Sequence, residues 1–349
     1  MGYIRPRDRT SEWQNLNDLL YKKKEHNMSP KIRVAIAGAS GVTGSSVMNA
    51  LLATSEIFEV TALVRPSSLG KDVFVEYSQR GVVVKAVELD GPAGVISQVL
   101  AGIDVVISCM TLRQMEEEMT LITAAHEAGV SRYVPSFFGP VCPPRGVMLA
   151  REMKENMLDH VKRLYMPYTI IDVGWWYQLS LPPLPSGKVR VKEEYSTTQI
   201  VGDGTNPWAL VDNRDIGKYV ARIIVDPKTL NKKVFCYSEI WTQNDAYESW
   251  GGVTGESITR NPITKEEILQ VFSEGEAEMA HGDLESAAML KLGMAQYKYL
   301  LGIRGDNTPE HAKYLGYLDA KELYPDIVAS SFKNYMNDLF TGSIKAPYT

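Results

Sequence analysis

The chain has 349 residues, 44% of them hydrophobic and 23% charged, and carries a net charge of −5. This is the make-up of an ordinary globular protein with room for one large or two modest domains. The acidic balance gives no general attraction for nucleic acid or an anionic membrane, and no apolar run reaches membrane-spanning length.

Three cysteines, Cys109, Cys142 and Cys236, lie far apart with no CxxC pair, which fits a reducing compartment and argues against a disulfide framework. The five histidines contain no HExxH pair, so no metal is expected. No basic-then-apolar segment opens the chain, which makes the cytoplasm the expected location.

Residues 1–30 read as an N-terminal extension in which Trp13, Leu16, Leu19 and Leu20 have the spacing of a short amphipathic helix. The organising stretch follows. Ile32 to Ala37 is a short apolar run bounded by glycine, the pattern of a buried strand. Gly38-Ala39-Ser40-Gly41-Val42-Thr43-Gly44 comes next, and then a helical pattern from Ser45 to Thr54. A strand, a glycine turn and a helix make the first unit of a nucleotide-binding βαβ. Gly38 can take a backbone geometry closed to side chains, Gly41 lets phosphate oxygens approach the amides at the helix start, and Gly44 leaves room for helix on strand. The amides of Ser40, Gly41, Val42 and Thr43 are the expected pyrophosphate cradle. A tight turn that binds nothing is the plainer reading of a glycine trio.

A second strand, Phe58 to Val64, ends at Arg65-Pro66-Ser67-Ser68, where an NAD-binding fold carries an acidic residue for the ribose 2′-hydroxyl. A guanidinium backed by two hydroxyls and Lys71 suits a 2′-phosphate instead, so NADP(H) is the expected cofactor. The plainer reading leaves Arg65 as a solvated strand end. Val82-Val83-Val84 is a third strand, Val95 to Leu100 a helix, and Asp104 to Ser108 a fourth strand. Ligands of open α/β sheets bind at the strands' carboxyl ends, which places Ser108, Cys109 and Met110 beside the cofactor. Met115 to Ala128 is the next helix, and Arg132-Tyr133-Val134 the fifth strand. The rhythm is strand–helix throughout, so the expected fold is α/β, a Rossmann-type doubly wound parallel sheet.

From Val147 to Tyr165 the pattern is helical, with Val147, Ala150, Met153, Met157, Leu158, Val161 and Tyr165 on an apolar arc. Arg151, Glu152, Glu155, Asn156, Asp159, Lys162 and Arg163 fall on the opposite, polar arc. Lys154 breaks this pattern by lying within the apolar arc. A buried ammonium costs several kcal/mol unless cofactor hydroxyls or a substrate oxygen compensate it, and a lysine so placed can be tuned as a general acid or base. A lysine at the arc's margin can instead snorkel to water. No tyrosine precedes it by four residues; Ala150 stands there.

Tyr168 to Val173 is a sixth strand, closed by Gly174-Trp175-Trp176-Tyr177, whose aromatics either wall an apolar pocket or form core between domains. Asp215 reads as the N-cap of a helix from Ile216 to Val225, and Val234 to Tyr237 as a further strand. Beyond Thr242 the pattern is mostly helical. The expected division is a nucleotide-binding domain of residues 31–178 with 208–238, and a smaller substrate-binding domain of 179–207 with 239–349.

From about Lys31 to about Phe340 the chain resembles the isoflavone reductase-like and NmrA-like branch of atypical short-chain reductases. The resemblance is carried by the glycine loop, by Arg132-Tyr133-Val134-Pro135-Ser136-Phe137-Phe138-Gly139, and by Lys154 thirteen residues before Pro167-Tyr168-Thr169. Asp215-Ile216-Gly217, Asp226 to Lys232, Gly305-Asp306 and Leu323-Tyr324-Pro325-Asp326 add to it. It implies NADPH at the glycine loop, Arg65 on the 2′-phosphate, Ser136 near the cofactor, and Lys154 as the active-site lysine. Relatives resembling phenylpropanoid reductases deliver hydride to an already electrophilic carbon, which fits the absent tyrosine. Two departures stand out. Phe137 replaces the carboxylate of the family's usual Pro-Ser-Glu-Phe-Gly, and Val173 to Tyr177 is bulkier and more aromatic than in the plant enzymes. Both suggest a larger apolar substrate, an aromatic or polyketide-like small molecule flanked by Phe137, Phe138, Trp175, Trp176 and Tyr177. The resemblance also leaves open a dinucleotide-binding sensor without catalysis, a non-redox dehydratase or isomerase, and a homodimer.

Overall fold

The computed structural model describes residues 30–190, 199–279 and 287–344. The N-terminal extension expected before the first strand falls, except for its last residue, outside the described residues. Strand β1 (Ile32–Ala37) lies at the centre of a parallel sheet with β2 (Phe58–Val64) on one side and β4 (Val105–Ser108) on the other. β3 (Val83–Ala86) extends the β2 side and β5 (Arg132–Val134) the β4 side, giving the order β3-β2-β1-β4-β5. The sheet continues past β5. A bridge between Tyr133 and Tyr168 brings in β6 (Thr169–Val173), which pairs with β10 (Lys232–Cys236), and β10 pairs with β13 (Tyr317–Asp319). This is the doubly wound α/β order, and its switch point lies where β1 meets β4.

Alternation along β1 divides the core. Val34 and Ile36 face a layer in which α1 (Val42–Ala53) contributes Val47, Met48 and Leu51, and α6 (Ile216–Ile223) contributes Tyr219, Val220 and Ile223. Ala35 and Ala37 face the opposite layer, with Leu121, Ile122 and Ala125 of α4 (Met115–Glu127) and Met157, Leu158 and Val161 of α5 (Leu149–Arg163). Helices α2 (Asp72–Gln79) and α3 (Ala93–Val99) complete the crossovers after β2 and β3.

The C-terminal part surrounds a third core. The short strands β7 (Trp175–Trp176), β9 (Trp208–Val211) and β11 (Glu239–Trp241) form one small sheet, and β8 (Gln199–Val201) pairs with β12 (Asn261–Ile263). Helices α7 (Gln243–Thr254), α8 (Lys265–Met279), α9 (Ala287–Lys298), α10 (Pro309–Tyr314), α11 (Ala320–Leu323) and α12 (Phe332–Thr341) make the rest. β13 comes from the segment expected to form the substrate domain, and it pairs with β10 of the main sheet. No described helix is long and apolar enough to cross a membrane.

One helix is added and two local expectations are corrected. Helix α2 spans only eight residues, too few for its apolar Val73, Phe74, Val75 and Tyr77 to show a helical period. On α5 the two arcs are mixed: Arg151 and Glu155, expected on the polar face, are buried, while Tyr165 is 81% exposed. The charges are tolerated because they pair with each other, and Tyr165 lies past the helix end with a left-handed backbone (φ 52). Asp215 stands before α6 but does not cap it with its side chain. Its carboxylate accepts the Ser330 amide at 2.6 Å and pairs with Lys218, which ties α6 to the C-terminal segment.

Candidate active site

The glycine loop joins β1 to α1 with no side chain at the helix entrance. Gly38 adopts φ +76, and a Cβ there would lie 2.5 Å from the Cys109 carbonyl oxygen. A Cβ on Gly44 would lie 2.1 Å from the Gly38 carbonyl oxygen, so both positions are held by backbone contact. Gly41, the N-cap of α1, donates its N–H to Gly38 O at 3.1 Å and leaves the helix start without a side-chain cap. That end carries partial positive charge and free amides, the requirements of an anion site.

A crevice runs from this loop across the switch point. It is lined by Gly38, Ser40 and Gly41, by Arg65, Ser68 and Lys71 after β2, and by Cys109 and Met110 after β4. Val42, Thr43 and Gly44 form the first turn of α1 behind the loop, and Ser108 is fully buried under the crevice floor. Two cations and a buried hydroxyl at the end of β2 match a phosphate monoester on a ribose, and the backbone cradle matches a pyrophosphate. Leu63, Val87 and Leu89 supply an apolar wall that the sequence reading did not single out.

Lys154 is linked to this crevice through one turn of chain. The Ser136 hydroxyl donates to Met110 O at 2.6 Å, its N–H donates to Glu118 Oε1 at 2.9 Å, and the next carbonyl, Phe137 O, accepts a hydrogen bond from the Lys154 ammonium. Burial pushes the Lys154 pKa down to about 8; Arg151 adds to this, and Asp172 and Glu118 oppose it. Glu118 is itself 2% exposed, and burial pushes its carboxyl up to about 7 against the stabilising Ser136 N–H, the Ser108 hydroxyl and Lys154. The Cys109 thiol, at the crevice, is pushed up by burial and stays a thiol.

A small cavity adjoins Lys154, lined by Phe137, Cys142, Met148, Arg151, Asp172 and Tyr297. Phe137 is buried there, with its ring centroid 5.9 Å from Lys154 Nζ and 4.9 Å from the Arg151 guanidinium. The other aromatic candidates point elsewhere. Phe138 takes φ 31 and packs into the sheet core beside Ile171 and Val173. Trp176 packs against the same core. Trp175 meets the Tyr297 ring at 5.0 Å and donates its indole N–H to Leu179 O. Tyr177 is fully buried, stacked on Phe332 at 4.5 Å, with its hydroxyl on Ser330 O at 3.0 Å. At Gly174, where a Cβ would lie 2.7 Å from Ala209 O, the chain passes close against β9. Trp175 does not line the cavity but touches Tyr297, which does.

Asp172 is the residue the sequence reading passed over. It reads as a polar interruption of a buried strand, and it sits at full burial with Oδ2 on Arg151 Nη1 at 2.6 Å. Arg151 also holds Glu155 at 3.0 Å and the Tyr317 hydroxyl at 2.6 Å. Burial disfavours the Arg151 charge, but Asp172, Tyr317 and Glu155 outweigh it and raise its pKa. Met148 and Tyr297 carry no local signal of their place, since an apolar residue before a helix and a tyrosine within one are common core features.

The NmrA-like family model matches residues 30–298. The chain is 41% identical over 314 residues to asnovolin J 5′,6′-dehydrogenase of Aspergillus novofumigatus, covering 89% of this chain and 96% of that one. It is 26% identical to a phenylcoumaran benzylic ether reductase of Nicotiana tabacum, over 88% of this chain and 99% of the relative. In fold it is similar to the binary complex of leucoanthocyanidin reductase with NADPH from Vitis vinifera, with a TM-score of 0.74 at 21% identity, over 88% and 99% of the two chains.

Proposed function

This chain belongs to the NmrA-like family, and from that premise we propose that it is an NADP(H)-dependent oxidoreductase acting on an aromatic or polyketide-like small molecule. NADPH, when bound, supplies the hydride, and the acceptor is an activated C=C or C=O. The relatives' names include a dehydrogenase and a reductase, both hydride-transfer activities. The observation that carries the reading is the tie from the crevice rim through Met110 and Ser136 to the Phe137 carbonyl and Lys154. It sets a tunable ammonium between a nucleotide crevice and a small cavity whose wall is part apolar and part charged.

In this reading the loop amides hold the pyrophosphate, and Arg65, Ser68 and Lys71 hold the 2′-phosphate. Phe137, Met148 and Tyr297 form the apolar part of the wall beside Lys154. Lys154 polarises the acceptor oxygen as negative charge develops on it, and its proton completes the reduction. The acceptor needs no second acid, because its carbon is already electrophilic.

The test follows nicotinamide absorbance with NADPH and with NADH against a panel of aromatic enones, quinones and quinone methides. Calorimetric binding of both dinucleotides is measured in parallel. Turnover with an NADPH preference is expected, and Arg65→Ala should erase most of that preference by weakening NADPH alone. Tight NADPH binding without turnover across the panel would replace the enzyme by a sensor, and no dinucleotide binding would remove the reading altogether.

A further inference from the structure

The two carboxylate oxygens of Asp172 have different surroundings. Oδ2 accepts from Arg151 Nη1 at 2.6 Å and from the Tyr317 hydroxyl. Oδ1 is equally buried and has no hydrogen-bond partner among the described residues. Leaving such an acceptor unpaired is costly, which is why buried polar atoms are so regularly met by protein or by water. Asp172 lines the same cavity as Lys154, and the cavity's volume is about 20 Å³. One water needs roughly 10–15 Å³ and two to four polar partners. The cavity therefore has room for a water, with an acceptor and a donor already in its wall.

The donors of Lys154 support the same arrangement. An ammonium has three N–H donors, and the Phe137 carbonyl takes one of them. We propose that a single water in this cavity joins Asp172 Oδ1 to the Lys154 ammonium. Asp172 is then the residue that positions Lys154 and favours its charged form, with the third N–H left for the acceptor oxygen. The inference deepens the reductase reading and rests on it for the role of Lys154, though the water itself does not.

The other charges around Lys154 are all named. Arg151 on the same helix disfavours the ammonium, and Glu118 on α4 favours it more weakly than Asp172. Tyr297 and Cys142, in the cavity wall, are each pushed up to about 12 by burial and carry no charge near neutrality. Glu155 and the Tyr317 hydroxyl pair with Arg151, Tyr317 also donates to Asp172, and Lys233 lies 4.0 Å from Glu155. Removing the Asp172 charge thus leaves Arg151 the dominant neighbour, and Lys154 loses its proton more readily.

A high-resolution crystal structure of the wild-type protein should show one ordered water within hydrogen-bond reach of Asp172 Oδ1 and Lys154 Nζ. A dry cavity, or a water touching only one of them, overturns the proposal whatever the activity. In solution, turnover should fall as pH rises through the Lys154 pKa, and Asp172→Asn should move that fall about one unit lower, the size expected for one nearby opposite charge. A folded Asp172→Asn variant with an unmoved limb overturns the proposal. Tyr317→Phe keeps the carboxylate while deleting a hydrogen bond to it, so its limb should stay in place; a shift equal to that of Asp172→Asn would assign the effect to packing and sink the proposal. Wild-type protein without turnover on any acceptor would count against the reductase reading, and the crystallographic water would then decide the Asp172 link alone.

Discussion

Lys154 concentrates the chemistry, and two substitutions separate its role from that of its buried neighbour. Lys154→Ala should lower turnover at least about tenfold, the lower end of what acid–base groups contribute, in a protein that still folds. Circular dichroism beside steady-state rates checks both halves, and unchanged turnover would take the lysine out of the mechanism. Glu118 makes a different prediction. Burial raises its carboxyl from 4.5 to about 7, so the folded state holds this proton more tightly than the unfolded chain. Its contribution is fully present below about pH 4.5 and is lost as pH rises through about 7, a decline on the order of 3 kcal/mol. Glu118→Gln keeps an acceptor for the Ser136 N–H without ionising, and should flatten that decline. Urea midpoints of both proteins across the window measure the difference, and parallel curves would mean that Glu118 does not carry the slope.

At the scale of elements, the packing of α1 against α6 sets the position of the anion-binding helix start. Gly217 on α6 has Ser46 O 2.0 Å from where a Cβ would stand and Ala50 Cβ at 2.9 Å, and its N–H donates to the Ser46 hydroxyl at 3.0 Å. Gly217→Ala should cost about 1–3 kcal/mol by overpacking and weaken dinucleotide binding, because the helix must shift. Gly252, inside α7, has nothing within 4 Å of a Cβ. Gly252→Ala should raise stability by about 0.5–1 kcal/mol, so the pair of melting curves should move in opposite directions. What was legible in the sequence divides along the same line. The strand, glycine loop and helix could be read because backbone crowding admits only glycine at Gly38 and Gly44, and Lys154 could be read because it interrupts a local period. Arg151 and Glu155 read as surface residues because local periodicity treats charge as exposed. The burial of Arg151 depends on Asp172, 21 positions on, and on Tyr317, 166 positions on, and Glu155 is buried against Arg151. The aromatic run after β6 is legible as bulk but not as direction, since its ring partners Tyr297 and Phe332 come from far along the chain.

Across the whole molecule, the central sheet is finished by its own C-terminal segment. Tyr317 reaches the buried Arg151–Asp172 pair from β13, and Asp215 and Tyr177 are held by Ser330 and Phe332 near α12. A chain ended after Arg304 would expose one edge of β10, leave Asp172 without one of its donors, and strip the third core. It should be recovered as protease-sensitive or insoluble material, and a compact, resistant fragment on limited proteolysis would show that the terminal segment is dispensable. One consequence concerns inheritance. Arg151, Lys233, Asp172 and Glu155 form a neutral quartet of two cations and two anions, with Arg151 and Asp172 at its buried centre. Losing one member of such a centre strands its partner at a cost of about 3–5 kcal/mol, whereas neutral replacement of both is tolerated. Descendants of this sequence can therefore drift at these positions only by compensated steps, so that positions 151 and 172 should change together among relatives while the exposed face of α5 varies one residue at a time.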